Sequence, residues 1–302
     1  MSTLGVKSFK MSGGVDTYNP SFSSTELKFQ TLINIEPRLG RLIRPDAYSQ
    51  LQSDLDTTET IVSFGMYNVG SEGVSSVYAF GETSVWRMDF ATGLFITTAI
   101  YSSFPSSLDP YVLLPWYDCL YATKPNGDYI KIQHDTVTVI KSNLGAKFGV
   151  IANGHAYFAG MTDEFGQGLL RTRWSDLNLP ESTDLNPGSS EADLFDIEPP
   201  AIKITGMSYQ RGTPLIYTEN AIWKARPIGY PGGFVTEPLF PGLGNVFEYA
   251  VVQLREVDFF IGPDNFYMLN GYQPVPIGDE IWEYFIGNIS SSEQRVYGYL
   301  DT

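Results

Sequence analysis

The sequence predicts an all-β fold, a β-propeller of about five to six blades in which helix is confined to short turns, and three observations lead there. The first is composition: 29 Gly, 19 Pro, 19 Tyr and 19 Phe among 302 residues. Aromatic and β-branched side chains suit a pleated, half-buried surface, and Gly and Pro suit turns. The second is periodicity. In Tyr129–Gln133, Ile130 and Ile132 face one side and Lys131 and Gln133 the other, and Thr136–Val139 repeats the alternation across a turn at His134–Asp135. The third is a hairpin that recurs five times, an aromatic-rich strand followed by a polar or Gly/Pro turn and a second alternating strand. Tyr78, Tyr121, Tyr157, Tyr217 and Phe260 mark it at spacings of 43, 36, 60 and 43 residues, near the roughly 40–50 residues of a four-stranded blade. A sandwich or barrel shares the strand-and-turn composition, and a mixed α+β fold is the third option; the repeat favours the propeller.

Taken in order, residues 1–30 read as an N-terminal arm and 31–302 as the propeller-like domain. A helical turn is expected at Pro45–Leu51. The strand Thr60–Gly65 leads into the first hairpin, Val77–Met88. The second hairpin is Leu120–Thr123 with Pro125–Ile130. Gly149–Ala152 precedes the third, His155–Gly160 with Leu169–Trp174. Ile202–Met207 leads into Leu215–Lys224, and Tyr249–Leu254 into Phe259–Met268. Residues 176–200 carry seven acids and four prolines without periodicity, which predicts an irregular acidic loop inserted between two blades. Ile281, Trp282 and Phe285 share one face of a helix of a turn or two within Asp279–Phe285. Residues 295–300 are predicted to pair as a strand with Leu32–Ile35 and Arg41–Ile43, completing a sixth blade, because a lone strand leaves its edges unpaired. Trp86, Tyr129, Trp174, Trp223 and Tyr267 occupy second strands of their hairpins, and at least four are expected to be mostly buried between blades.

The formal net charge of −15 argues against a surface that wraps nucleic acid, which needs Lys and Arg to displace counterions from phosphate. One cysteine, Cys119, excludes an intramolecular disulfide framework or a zinc cluster, and two histidines, His134 and His155, exclude a histidine-rich metal site. The N-terminus has no apolar leader region, and no run approaches the roughly 18 apolar residues of a membrane helix. No cofactor, metal or catalytic residue is assigned. The chain lacks a Gly-rich phosphate loop, His-Glu-x-x-His and Gly-x-Ser-x-Gly. His134 lies in a hairpin turn and His155 at a strand start, neither the setting of an oriented base. Asp163/Glu164 and Asp279/Glu280 are sequence neighbours that point to opposite faces of a strand, poor acid–base couples. Glu256 and Asp258 would share a face, as a solvated edge. The acids of 176–200 lack calcium-loop spacing. Tyr230 and Phe234 could stack on a sugar, but in a Gly/Pro turn such residues more often plug an interface between blades or subunits.

Three segments carry a resemblance. Glu256–Gly278, with Phe259-Phe260-Ile261-Gly262-Pro263 and the closing Ile277-Gly278, resembles the strand–turn–strand motif of the β-propeller tail nozzle or hub proteins of short-tailed bacteriophages. Arg173–Glu181 is similar to that family's aromatic-Ser-x-x-x-x-Pro segment, and Asn34–Pro45 to its N-terminal Asn…Pro-x-x-Gly…Arg-Pro strand. The resemblance implies a structural virion protein made in a host cytoplasm, a nozzle, hub or head-to-tail completion ring that lines or seals the genome-ejection channel. It further implies a homo-oligomeric ring between portal or adaptor proteins and tail fibres or spikes, with DNA passing through unread. A channel wall that does not grip phosphate should be acidic or neutral, as this chain is. The alternative from another class is a carbohydrate-binding or glycoside-hydrolysing propeller.

Overall fold

The computed structural model describes residues 36–38, 41–43, 59–69, 74–89, 94–96, 98–185, 190–229, 232–279, 281–289 and 296. The chain divides into two compact units, Met1–Asp54 and Leu55–Thr302. In the first, β1 (Glu36–Arg38) and β2 (Arg41–Ile43) form an antiparallel hairpin that pairs Glu36 with Ile43 and Arg38 with Arg41. The predicted arm at 1–30, the helical turn at Pro45–Leu51 and the pairing of 295–300 lie outside the described residues; of the last, only Val296 is described.

The second unit is a β-propeller of five described blades, each a four-stranded antiparallel meander. Blade 1 is β3 (Ser63–Val69), β4 (Val74–Phe80), β5 (Val85–Asp89) and β6 (Leu94–Phe95). Blade 2 is β7 (Val112–Trp116), β8 (Cys119–Thr123), β9 (Tyr129–Gln133) and β10 (Thr136–Lys141). Blade 3 comprises β11 (Gly145–Ala152), β12 (His155–Asp163), β13 (Gly166–Trp174) and β14 (Asp193–Asp196). Blade 4 comprises β15 (Ile204–Gln210), β16 (Thr213–Thr218), β17 (Ala221–Gly229) and β18 (Gly233–Pro241). Blade 5 is β19 (Val252–Leu254), β20 (Val257–Ile261), β21 (Phe266–Leu269) and β22 (Pro274–Pro276), and α1 (Trp282–Asn288) follows it. The first strands of successive blades pack on one another, β7 on β3, β11 on β7, β15 on β11 and β19 on β15.

The recurring hairpins are the second and third strands of the five blades. Tyr78, Tyr121, Tyr157, Tyr217 and Phe260 are all buried at equivalent places in β4, β8, β12, β16 and β20. Three of them stack on a third-strand aromatic, Tyr121 on Tyr129, Tyr157 on Trp174 and Phe260 on Tyr267, with centroids 5.5–5.6 Å apart. Of the five third-strand residues expected inside, Trp86, Tyr129 and Trp174 are buried, while Trp223 and Tyr267 are half-buried against the cores of their joints. Close approach between blades requires glycine at two places: a Cβ on Gly149 would overlap Val112, and one on Gly206 would overlap Val251.

Carboxylates and amides near the blade edges take up backbone N–H groups. Glu59 accepts from the Thr83 and Ser84 amides at 2.7 and 3.1 Å and from both hydroxyls. Glu219 accepts from the Ile202 and Lys203 amides, Asp128 from Asn143 and Asn265 from Gly278. Backbone donors at blade junctions are thereby satisfied without a continuous ladder.

The acidic stretch requires a correction. It is not an irregular insertion between blades: Asp193–Asp196 is the outer strand of blade 3, paired with β13 from Arg171↔Asp196 to Trp174↔Asp193. The extra length lies inside the blade, between its third and fourth strands, and its beginning folds back on blade 2. Tyr129 Oη donates to the Pro180 carbonyl at 3.0 Å and Tyr121 Oη to Glu181 at 2.9 Å. Glu181 and Asp184 meet Lys131 and Lys141 of blade 2, and Asp196 meets Arg171 of the adjoining strand.

Candidate functional site

The register of blade 5 sorts its side chains into two faces. Asp258, Phe260, Tyr267 and Leu269 point toward blade 4, where Phe260 and Leu269 pack with Leu215, Tyr217 and Ile222. Val252, Leu254, Val257, Phe259, Ile261, Phe266, Met268 and Val275 share the opposite face. All eight are apolar. A sheet apolar on both faces is one built to be covered on both, yet no further sheet follows β22 among the described residues. Leu254 is 39% exposed there, and only Ile261 of the eight is buried.

Helix α1 closes one end of this face. Phe285 sets its ring edge-on to Phe266 at 4.8 Å, and Trp282 does the same at 5.7 Å. Between helix and sheet lies a cavity of about 370 Å³ lined by Val252, Phe259, Phe266, Ile277, Ile281, Phe285 and Val296. Its one polar edge is Tyr267, whose hydroxyl donates to Asp264 at 2.7 Å. Burial and that bond push the phenol up to about 12. Such a wall suits an apolar side chain; a reaction site would bring several polar groups to one point. At the other end of the blade series, on the face of β3 turned away from blade 2, Phe64 and Met66 are 66% and 58% exposed.

Buried charges elsewhere are committed to structure. Arg173 is fully buried; its guanidinium donates to Glu164 at 2.9 and 3.0 Å, to the Thr183 carbonyl, and meets Asp163 at 3.4 Å. Arg171 bridges Asp163 at 2.9 Å and Asp196 at 2.8 Å, tying the outer strand of blade 3 to the inner hairpin. Partial burial works against the Glu164 carboxylate, but donors from Arg173 and Lys141 hold it down at about 2. Lys124, also buried, donates to the Glu82 and Ser107 carbonyls at 2.8 and 3.0 Å and lies 4.9 Å above the Tyr111 ring. Burial pushes its ammonium down, against the pull of Asp109. Cys119 is a buried thiol raised by burial, with Sγ 3.1 Å from the Trp116 carbonyl.

The residues weighed for chemistry do not converge. His134 is exposed in its turn, with backbone N–H and carbonyl bonded to Tyr67 and Tyr78. His155 is buried, its Nδ1 2.6 Å from the Ser175 carbonyl and its Nε2 3.4 Å from Glu191. The Ser175 hydroxyl is spent on the Ala156 amide and the Asp176 carbonyl, so it is no nucleophile for that imidazole. Asp163 and Glu164, expected to diverge, meet on one guanidinium because Glu164 lies past the end of β12, where strand alternation stops. Asp258 is not a solvated edge: it is wholly buried against blade 4, while Glu256 sits in the exposed turn beside Arg211. Asp279 accepts from Asn265 at 2.5 Å, and Glu280 lies outside the described residues. Phe234 is buried, set edge-on to Tyr157, Trp174 and His155. It plugs the joint between blades 3 and 4 and is closed to a sugar; Tyr230 lies outside the described residues. Glu181, Asp184, Glu191 and Asp196 of the acidic stretch pair with Lys131, Lys141, His155 and Arg171. Among the described residues no three ligating side chains group as a metal site, and no helix is long and apolar enough to cross a membrane.

Sequence reasoning missed the open face of blade 5 and the buried cations Arg173 and Lys124. The first left a signal, alternate apolar residues continuing in all four strands on the side away from Asp258 and Phe260. The buried cations left none, since their partners are carbonyls and acids fixed only by the fold.

No protein-family model matches the chain, and no curated protein matches it significantly. Solved structures similar to it include a quinoprotein alcohol dehydrogenase-like protein from Bacteroides thetaiotaomicron, at 12% identity over 72% of this chain and 55% of that one, TM-score 0.42. The Dos1 propeller is similar at 10% identity over 67% and 51%, TM-score 0.44. The extracellular domain of a putative hybrid two component system from B. thetaiotaomicron is similar at 10% over 80% and 32%, TM-score 0.45. The chain thus spans about half the length of the first two and about a third of the last.

Proposed function

We propose that the protein is a structural component of a bacteriophage tail, a nozzle, hub or head-to-tail completion ring, and that it works by assembling rather than by turning over a substrate. The observation that carries this reading is the apolar outward face of blade 5 with its cavity of about 370 Å³. Eight apolar side chains on one sheet face are an assembly surface in a protein whose buried Arg173 and Asp163 are already spent on each other and their neighbours. The three segments that resemble tail nozzle and hub proteins give that assembly its setting, between portal-side and fibre-side neighbours. The net charge of −15 gives its channel a wall that does not hold passing DNA.

Negative-stain imaging of the purified chain tests this. Closed rings of several copies are expected, alone or on addition of virion particles lacking the protein. Uniform single copies that hydrolyse or bind glycans would replace this reading with the carbohydrate-active one.

A further inference from the structure

The joint between blades 4 and 5 contains a carboxyl group in an unusual setting. Asp258 on β20 is wholly buried, as are Tyr217 on β16 and Ser208 and Gln210 on β15. The Oδ2 atom accepts hydrogen bonds from the Ser208 hydroxyl and, at 2.5 Å, from the Tyr217 hydroxyl. The other oxygen, Oδ1, has no partner, and neither has the side-chain oxygen Oε1 of Gln210. The Gln210 side chain lies within hydrogen-bonding reach of the carboxyl, while its amide Nε2 donates to the Leu269 carbonyl at 3.2 Å. Two buried acceptors of the same joint are thus left unpaired, and each forfeits a hydrogen bond.

Rotating the Gln210 amide does not repair this. It would turn Nε2 toward Asp258 but set Oε1 against the Leu269 carbonyl, exchanging one unmade bond for a repulsion. One proton does repair it. We propose that Asp258 is a neutral carboxylic acid in the folded protein at neutral pH, its Oδ1–H donating to Gln210 Oε1, so that the blade 4–5 joint is latched by a proton. Every polar atom of the cluster is then used: Ser208 and Tyr217 donate to Oδ2, Oδ1 donates to Gln210, and Gln210 donates to Leu269. Burial also drives the carboxyl in this direction, against the bonds from Ser208 and Tyr217.

The groups facing Asp258 leave the proton little competition. From β15 come the neutral Ser208 and Gln210, and from β16 comes Tyr217, a phenol that burial and the Asp258 carboxyl hold well above its ordinary value. In its own sheet, Asp258 stands opposite Gln253 and Leu269. Arg211 and Glu256, at the exposed hairpin tips of the two blades, pair with each other at 3.4 Å. Among the described residues no cation acts on the carboxylate. The consequence has a definite sign. A carboxyl raised above its unfolded value near 4 makes its full contribution below that value, and the contribution is lost as pH rises toward the folded pKa. Alkaline solution should therefore loosen this joint.

The test compares thermal melting of the full chain and its Asp258→Asn variant at pH 5.5 and 8.5. Asn reproduces the protonated acid, with its amide donating to Gln210 and its oxygen accepting from Ser208 and Tyr217. The variant is expected to melt at or above the wild type at pH 8.5, by roughly 2–4 °C, with the difference shrinking at pH 5.5. A variant that melts lower at both pH values overturns the proposal, because it shows that the negative charge was wanted. Should the variant not fold, the ¹³C chemical shift of the Asp258 carboxyl carbon in the wild type decides: a protonated carboxyl at pH 7 supports the latch, and a carboxylate rejects it.

Discussion

Blades 3 and 5 are built on the same plan and end differently. Each pairs its second and third strands antiparallel and stacks an aromatic couple across them, Tyr157 on Trp174 and Phe260 on Tyr267. Blade 3 is closed on both sides. Ala156 and Phe158 pack with Tyr129 and Leu114 of blade 2, and Tyr157 and Trp174 receive Phe234 from blade 4. Arg171 and Arg173 then fasten its rim. Among the described residues, blade 5 meets a neighbouring sheet on the Asp258 and Phe260 side alone. The difference teaches that a blade cannot bury its apolar faces by itself: a sheet in an array is half a core, and its neighbour supplies the rest.

The largest expected effect breaks the closed joint. Phe234→Ala removes the plug shared by Tyr157, Trp174 and His155, and urea unfolding should show a loss of about 3–5 kcal/mol. Gly206→Ala pushes a Cβ into Val251 between blades 4 and 5; overpacking of this kind costs about 1–3 kcal/mol in the same assay. Tyr217→Phe deletes one of the two donors to Asp258 Oδ2. A bond to a neutral acid should cost about 1 kcal/mol, against roughly 1.5–3 for a bond to a carboxylate, so the size of the loss reports the charge of Asp258.

The rim of blade 3 answers to acid. Glu164 is held at about 2 by Arg173 and Lys141, below its unfolded value near 4.3. Its contribution is therefore present above pH 4.3 and lost as pH falls through about 2. Glu164→Gln should lower stability at pH 7 by about 1 kcal/mol or less, since the side chain is partly exposed and screened. The gap to wild type should close as urea titrations are repeated toward pH 2.

How much of this could be read beforehand follows from the range over which each interaction acts. The five buried residues from Tyr78 to Phe260 were legible because a blade repeats its hairpin locally, and period-2 alternation fixes which side chains share a face. The short helix was legible from Ile281, Trp282 and Phe285, and it forms at Trp282–Asn288, three residues later than expected. The strand Asp193–Asp196 was hidden because it has two apolar residues between two acids, a composition typical of an exposed edge. Asp163 and Glu164 were misjudged because the end of β12, not the residue spacing, decides where alternation stops. Buried Asp258 was missed because its partners come from another blade, 41 and 50 residues away. The apolar face of blade 5 was written in the alternation of Val257, Phe259 and Ile261; what it lacked was a sign that the neighbouring side stays open.

The smallest expected change in stability belongs to the measurement that bears most directly on the open face. Leu254, 39% exposed on that face, replaced by Lys should alter the stability of the single chain by no more than about 0.5 kcal/mol. Mass photometry of wild type and Leu254→Lys at matched concentration then reads assembly alone. The wild type is expected at a discrete multiple of 33.6 kDa and the variant at the mass of one chain. A wild type that stays at one chain at every concentration, or a variant that assembles as well as wild type, contradicts the assignment of this face as the surface through which the protein works.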